Sequence, residues 1–129
     1  LLYGDDNDRE NYFFNGKRQN PRHFAVQVRG DSLRLFFSLV PDTPESIYYS
    51  DLVAPGDDWH TWSLTEPVRI LQPETDYEGG NLPMETSARG WVQAPVRQLR
   101  DPGIYEVDGR VYLLYSTAGE QGFALAEIE

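Results

Sequence analysis

Ile104-Tyr105-Glu106-Val107-Asp108-Gly109-Arg110-Val111-Tyr112-Leu113-Leu114-Tyr115-Ser116 is the stretch that decides the fold. Asp-Gly between two runs of β-branched and aromatic residues is the strongest short hairpin signal, because the favoured two-residue turn needs positive φ at both central positions. On the return run, Val111, Leu113 and Tyr115 share one face, and Tyr112 and Leu114 share the other. Ala118-Gly119-Glu120-Gln121-Gly122 is a second turn, and Phe123 to Ile128 reads as a third strand.

Moving toward the N-terminus, the same series occurs once more. His23 to Arg29 alternates, with Phe24, Val26 and Val28 on one face. Gly30-Asp31-Ser32 turns, and Leu33 to Val40 returns with Leu33, Leu35, Phe37 and Leu39 aligned. After the loop Pro41-Asp42-Thr43-Pro44, Ser46 to Val53 is a third strand, with Ile47 and Tyr49 opposite Tyr48. Aligned, Leu33-Arg34-Leu35-Phe36-Phe37-Ser38 falls on Val111-Tyr112-Leu113-Leu114-Tyr115-Ser116. Each unit is a hairpin whose second apolar strand ends near Ser, followed by a loop and a third strand. Repeated meanders of this kind point to an all-β, antiparallel architecture of propeller-like blades, here about two of them. An ordinary β-sandwich has a similar strand count.

Trp59 to Leu71 is expected to be extended and edge-like, because Pro67 removes a ladder donor. The second unit lacks a fourth strand, and Tyr12-Phe13-Phe14 is available to supply it. Between the units, 72–98 holds Pro73, Gly79-Gly80, Pro83, Gly90 and Pro95 without sustained periodicity. A connection this long inside a compact domain is often a binding or lid loop.

Composition narrows the function classes. The 129 residues are 40% hydrophobic and 13% aromatic, enough for one domain with a true core. The net charge of −10 disfavours nucleic acid and anionic membranes, because nonspecific affinity for phosphate comes from positive charge. Cysteine is absent, which excludes disulfides and thiolate metal sites and is compatible with a cytoplasmic location. Leu1-Leu2-Tyr3-Gly4 has neither a basic nor an apolar leader region. It also lacks an initiator Met, so the chain is expected to be processed or cut from something longer. His23 and His60 match no familiar metal spacing, and no cofactor is expected. Asp5-Asp6-Asn7-Asp8-Arg9-Glu10 lacks the mid-loop Gly and closing Glu of a calcium loop and reads as a solvated tail.

Arg100-Asp101-Pro102-Gly103, running into the hairpin quoted above, resembles the five-bladed β-propeller glycosidases and their uncharacterised relatives, the superfamily of arabinanases, xylosidases, invertases and levansucrases. The resemblance is strongest over 96–129, weaker over 22–90, and includes the loop Tyr77-Glu78-Gly79-Gly80-Asn81-Leu82-Pro83. It implies a single all-β domain with a first blade at about 12–71, the long loop at 72–98 and a second blade at 99–129. A whole propeller needs roughly 250 to 350 residues, so the chain corresponds to a C-terminal portion.

Glycoside hydrolysis uses two carboxyl groups flanking the scissile bond. By the resemblance, Asp101 is a sugar-contacting carboxylate that tunes the acid, with Arg100 beside it. The internal repeat puts Arg22 and His23 at the matching point of the first unit, so all four are expected to face one pit. Glu78, in the glycine-rich loop, is the candidate acid, and Glu120 is a weaker alternative near a blade end. Asp101 also fits a simple turn before Pro102, and Glu78 a solvated loop position.

Two functions are compatible with this sequence. One is a half-propeller module that retains carbohydrate-binding surface but does not catalyse alone. The other is a glycosidase-like hydrolase acting through Asp101 and Glu78, its site completed by another copy. Edge strands and apolar faces cut from a ring must be covered, so a homo-oligomer, with a dimer favoured, is expected.

Overall fold

In a computed structural model, residues 13–14 and 17–128 are described. The acidic stretch 5–10 and Tyr12 lie outside the described residues. The chain forms strands β1 (Phe13–Phe14), β2 (Lys17–Arg18), β3 (Asn20–Arg29), β4 (Ser32–Val40), β5 (Ile47–Val53), β6 (Ser63–Leu64), β7 (Val68–Leu71), β8 (Arg100–Val107), β9 (Arg110–Thr117) and β10 (Gly122–Ile128). All the pairings are antiparallel. No helix among the described residues is long and apolar enough to cross a membrane.

The first sheet has the order β3-β4-β5, with β6 and β7 both pairing with β5. The second has the order β8-β9-β10. Both expected hairpins form. Asp108 and Gly109 take φ of 50° and 73°, as their turn requires.

Two expectations need correction. Trp59 to Leu71 is broken into a 3-10 turn at Trp59–Thr61 and the short strands β6 and β7, with Pro67 in the gap. Phe13–Phe14 does not extend the second sheet; it pairs with Lys17–Arg18. The stretch 72–98 contains no strand, only a 3-10 turn at Asp76–Glu78.

The core lies between the sheets. Phe36 and Ile47 from the first pack with Leu113 and Tyr115 from the second and with Leu99. Phe37 and Leu39, with Leu35 and Tyr48 packed against them, form a separate buried cluster on the other face of the first sheet.

The contact joins unlike faces. In the repeat alignment Phe36 corresponds to Leu114, while Leu113 and Tyr115 correspond to Leu35 and Phe37. The Phe36 face of the first sheet therefore meets the face of the second that is equivalent to its own Phe37 face. A two-fold sandwich would join like faces; a rotation from one sheet to the next joins unlike ones.

Candidate functional site

The two repeats carry the same irregularity at the same place. In the first sheet Arg22 pairs with Ser38, and the next partners are Ala25 and Phe36. In the second, Arg100 pairs with Ser116, and the next partners are Gly103 and Leu114. Each ladder has one extra residue on its first strand, a β-bulge, which bends the strand and re-aims a side chain. The residues following the two arginines, His23 and Asp101, have φ of 54° and 51°. Asp and His are among the few non-glycine types enriched at positive φ, yet such backbone costs on the order of 1–3 kcal/mol and persists only where surrounding structure imposes it.

The bulges face each other. His23 Nδ1 contacts Asp101 Oδ1, and both side chains remain partly exposed. Ser116 Oγ donates to the other carboxylate oxygen, Oδ2, at 2.9 Å. Asp101 is thus held by one group from each sheet.

Beneath this pair runs a string of alternating charges. Glu45, fully buried, accepts from Arg22 Nε at 2.9 Å and from Arg22 Nη2 at 2.7 Å, and Ser38 Oγ donates to it at 2.7 Å. Arg100, also fully buried, places Nε 3.2 Å from the same carboxylate. Its Nη1 reaches Glu120 Oε1 at 2.8 Å and the Gly90 carbonyl at 2.9 Å, while its Nη2 donates to Gln98 Oε1 at 2.6 Å. The order Arg22–Glu45–Arg100–Glu120 crosses from one sheet to the other. It also repeats, since the Arg-to-Glu pairing of the first unit recurs in the second. Buried ions of this kind persist only when paired and fully hydrogen-bonded.

Four of the expected site residues, Arg22, His23, Arg100 and Asp101, are therefore brought together, and Glu120 joins them through Arg100. Glu45, Gln98 and Ser116 are members that sequence reading did not assign. The signal for Ser116 was present, because both repeats end their second strand at Ser.

Glu78 belongs elsewhere. Its Oε2 accepts from the amides of Glu74 and Thr75 and from the Thr75 hydroxyl, at 3.1, 3.0 and 2.9 Å, and its Oε1 accepts from Tyr115 OH at 2.8 Å. Burial pushes this carboxyl up, but the Thr75 and Glu74 amides and the Tyr115 and Thr75 hydroxyls outweigh it and hold it below the usual carboxylate range. Burial and the bond to Glu78 push the Tyr115 phenol well up, so it keeps its proton and donates. A general acid must be protonated when the leaving group needs it; Glu78 is instead held ionised. Adjacent residues on a strand point to opposite faces, so Glu78 attaches through Tyr115 on the core side of β9 while Asp101 attaches through Ser116 on the other. The expected pairing of Asp101 with Glu78 across one bond does not fit this geometry.

Glu78 does line a cleft of about 370 Å³, with Arg69, Ile70, Leu71, Gln72, Glu74 and Thr75. Neither His23 nor Asp101 borders it.

Comparison with known proteins identifies one relative of note. An uncharacterised protein of Acanthamoeba polyphaga mimivirus is 40% identical over 108 residues, covering 83% of this chain and 30% of that protein. The chain thus spans about 30% of the length of the curated relative it matches. No family model and no solved structure matches.

Proposed function

We propose that the chain is a pair of propeller blades whose facing bulges form a binding site for a polyhydroxylated ligand of the carbohydrate class, without catalysis by the isolated chain. The observation that carries this reading is the contact between His23 and Asp101, two residues at positive φ at equivalent points of the repeat. Costly backbone conformation concentrates at functional sites and bulges aim side chains there.

The chemistry suits a neutral, hydroxyl-rich ligand. A carboxylate accepts from sugar hydroxyls, an imidazole donates or accepts, and Asp101 is held in place by His23 and by the Ser116 hydroxyl. Positive and negative groups alternate, so neither an anion nor a cation is favoured by net field. The blade assignment is supported by the unlike-face packing, which rotation about an axis produces, and by the resemblance of Arg100 to Ser116 to propeller glycosidases.

Thermal unfolding with arabinose, xylose, fructose and glucose oligosaccharides tests the reading. A ligand at ten times its dissociation constant adds about 1.4 kcal/mol, a shift of several degrees for a domain of this size. At least one sugar is expected to raise the melting temperature of the wild type and to leave Asp101→Asn unchanged. No response from any sugar, or equal responses from both proteins, would contradict the site. Hydrolysis that disappears in Asp101→Asn would favour a hydrolase instead.

A further inference from the structure

The second sheet ends on one side in a bare strand. Its order β8-β9-β10 makes β8 and β10 the edges. The first sheet meets it at β8, where His23 contacts Asp101 and Arg100 reaches Glu45. No strand among the described residues pairs with the other side of β10. In the first unit the equivalent third strand, β5, is not left so, because β6 and β7 both pair with it. An edge strand presents a row of unpaired amides and carbonyls and is a template for another strand.

Natural proteins blunt such edges with proline, lysine, bulges or short length. β10 has none of these. Gly122-Phe123-Ala124-Leu125-Ala126-Glu127-Ile128 contains no proline and no basic residue, and all of it pairs with β9 in unbroken register. The side chains on its outer face are as open as its backbone edge. Phe123 is 87% exposed and Leu125 57%, and Leu114, which pairs with Leu125, is exposed as well.

The strand fits a second copy of itself. Leu125 is the middle residue of Gly122–Ile128. An antiparallel pairing centred there sets Leu125 opposite the partner's Leu125, Phe123 opposite the partner's Glu127 and Ala124 opposite the partner's Ala126. Directly opposite residues share a face, so the exposed outer strips of the two copies become one and the two leucines cover each other. No like charges meet, because the two Glu127 carboxylates stand about 13 Å apart along the strands, beyond the screening length of about 8 Å. Each copy's first sheet, seated at β8, stays at the far end of the joined sheet. A two-fold pairing uses the open edge of both copies and leaves none for a third.

We infer that the chain pairs with a second copy through β10, antiparallel about Leu125, so that the two three-stranded sheets run on as one. The edge is there whether or not the His23–Asp101 site binds a sugar, so the inference stands apart from that reading.

Light scattering on the purified full chain, with single-cysteine variants for the geometry, tests it. The wild type at tens of micromolar is expected at twice 14.8 kDa. Leu125→Lys and Leu125→Asp alter an exposed side chain, so each is expected to keep the wild-type circular dichroism spectrum. Each also sets like charges face to face and removes the leucine contact, weakening association about tenfold or more. Mixed in equal amounts, the two variants are expected to form a heterodimer in which lysine faces aspartate. The chain has no cysteine, so Leu125→Cys adds a single thiol. Opposed residues of an antiparallel pair stand about 4.5–5.5 Å apart at Cα, within disulfide range, and mild oxidation is expected to link two chains there. Val53→Cys, at an exposed position of β5, is expected to stay unlinked. A wild-type monomer at that concentration would overturn the inference. So would a dimer that either charged variant leaves intact, or equal linking of Leu125→Cys and Val53→Cys. Charged variants that remain monomeric when mixed, with folding intact, would also contradict the pairing at Leu125.

Discussion

Glu45 is the residue on which the site depends most. Two guanidinium groups and a serine hydroxyl converge on it in the interior, and removing it takes a buried carboxylate from both Arg22 and Arg100 where water cannot replace it. Breaking a buried pair from one side costs about 3–5 kcal/mol, a large share of a typical domain's 5–15 kcal/mol. Glu45→Ala is therefore expected to lower the urea-unfolding free energy by about that amount. Asp51→Ala, which removes the carboxylate paired with Arg34 at the surface, should cost about 1 kcal/mol or less. Equal losses would show that the buried string is not structural. Nothing in Pro44-Glu45-Ser46 marks Glu45 as buried, because its arginine partners come from strands more than 20 residues away on either side. Asp101 and Arg100 were singled out by the resemblance carried by Arg100-Asp101-Pro102-Gly103, and Arg22 and His23 by the internal repeat that aligns them with that pair. That His23 and Asp101 sit at positive φ was not legible, since bulge geometry depends on how two strands pair.

At the scale of elements, the hairpins were readable because Asp108-Gly109 and alternating apolar residues specify them locally. The break in Trp59 to Leu71 was only partly readable, since Pro67 forbids a continuous ladder without saying where pairing resumes. The long loop yielded least. Glu78 lies in a glycine-rich stretch that suggests exposure, yet it closes a 3-10 turn by accepting from the amides of Glu74 and Thr75. Gly80 permits that closure, because a Cβ there would lie 2.4 Å from the Glu74 carbonyl oxygen. The depressed pKa of Glu78 carries a sign. Its contribution to stability is fully present above its ordinary value of 4.5 and is lost as pH falls through the lower folded value. Urea unfolding of the wild type is expected to weaken across that acidic window, and Glu78→Gln to lack that part of the decline. Identical pH profiles for the two proteins would contradict the capping role.

For the whole molecule, the all-β antiparallel class followed from periodicity and turn chemistry, and the internal repeat anticipated two similar sheets. Which faces would meet was not legible, because both faces of β4 and β9 are apolar in sequence. Stacking of the two sheets covers one face of each, and on β4 the opposite face is buried as well, at Phe37 and Leu39. The same stacking sets the bulges of β3 and β8 side by side and makes the His23–Asp101 junction a property of the assembled pair rather than of either sheet. Titration of ¹⁵N-labelled protein with arabinose and xylose oligosaccharides, followed amide by amide, tests that claim most directly. Chemical-shift changes are expected to concentrate at His23, Phe24, Asp101, Gly103 and Ser116 and to vanish in Asp101→Asn. Changes confined to the Arg69–Glu78 cleft, or none at saturating sugar, would contradict it.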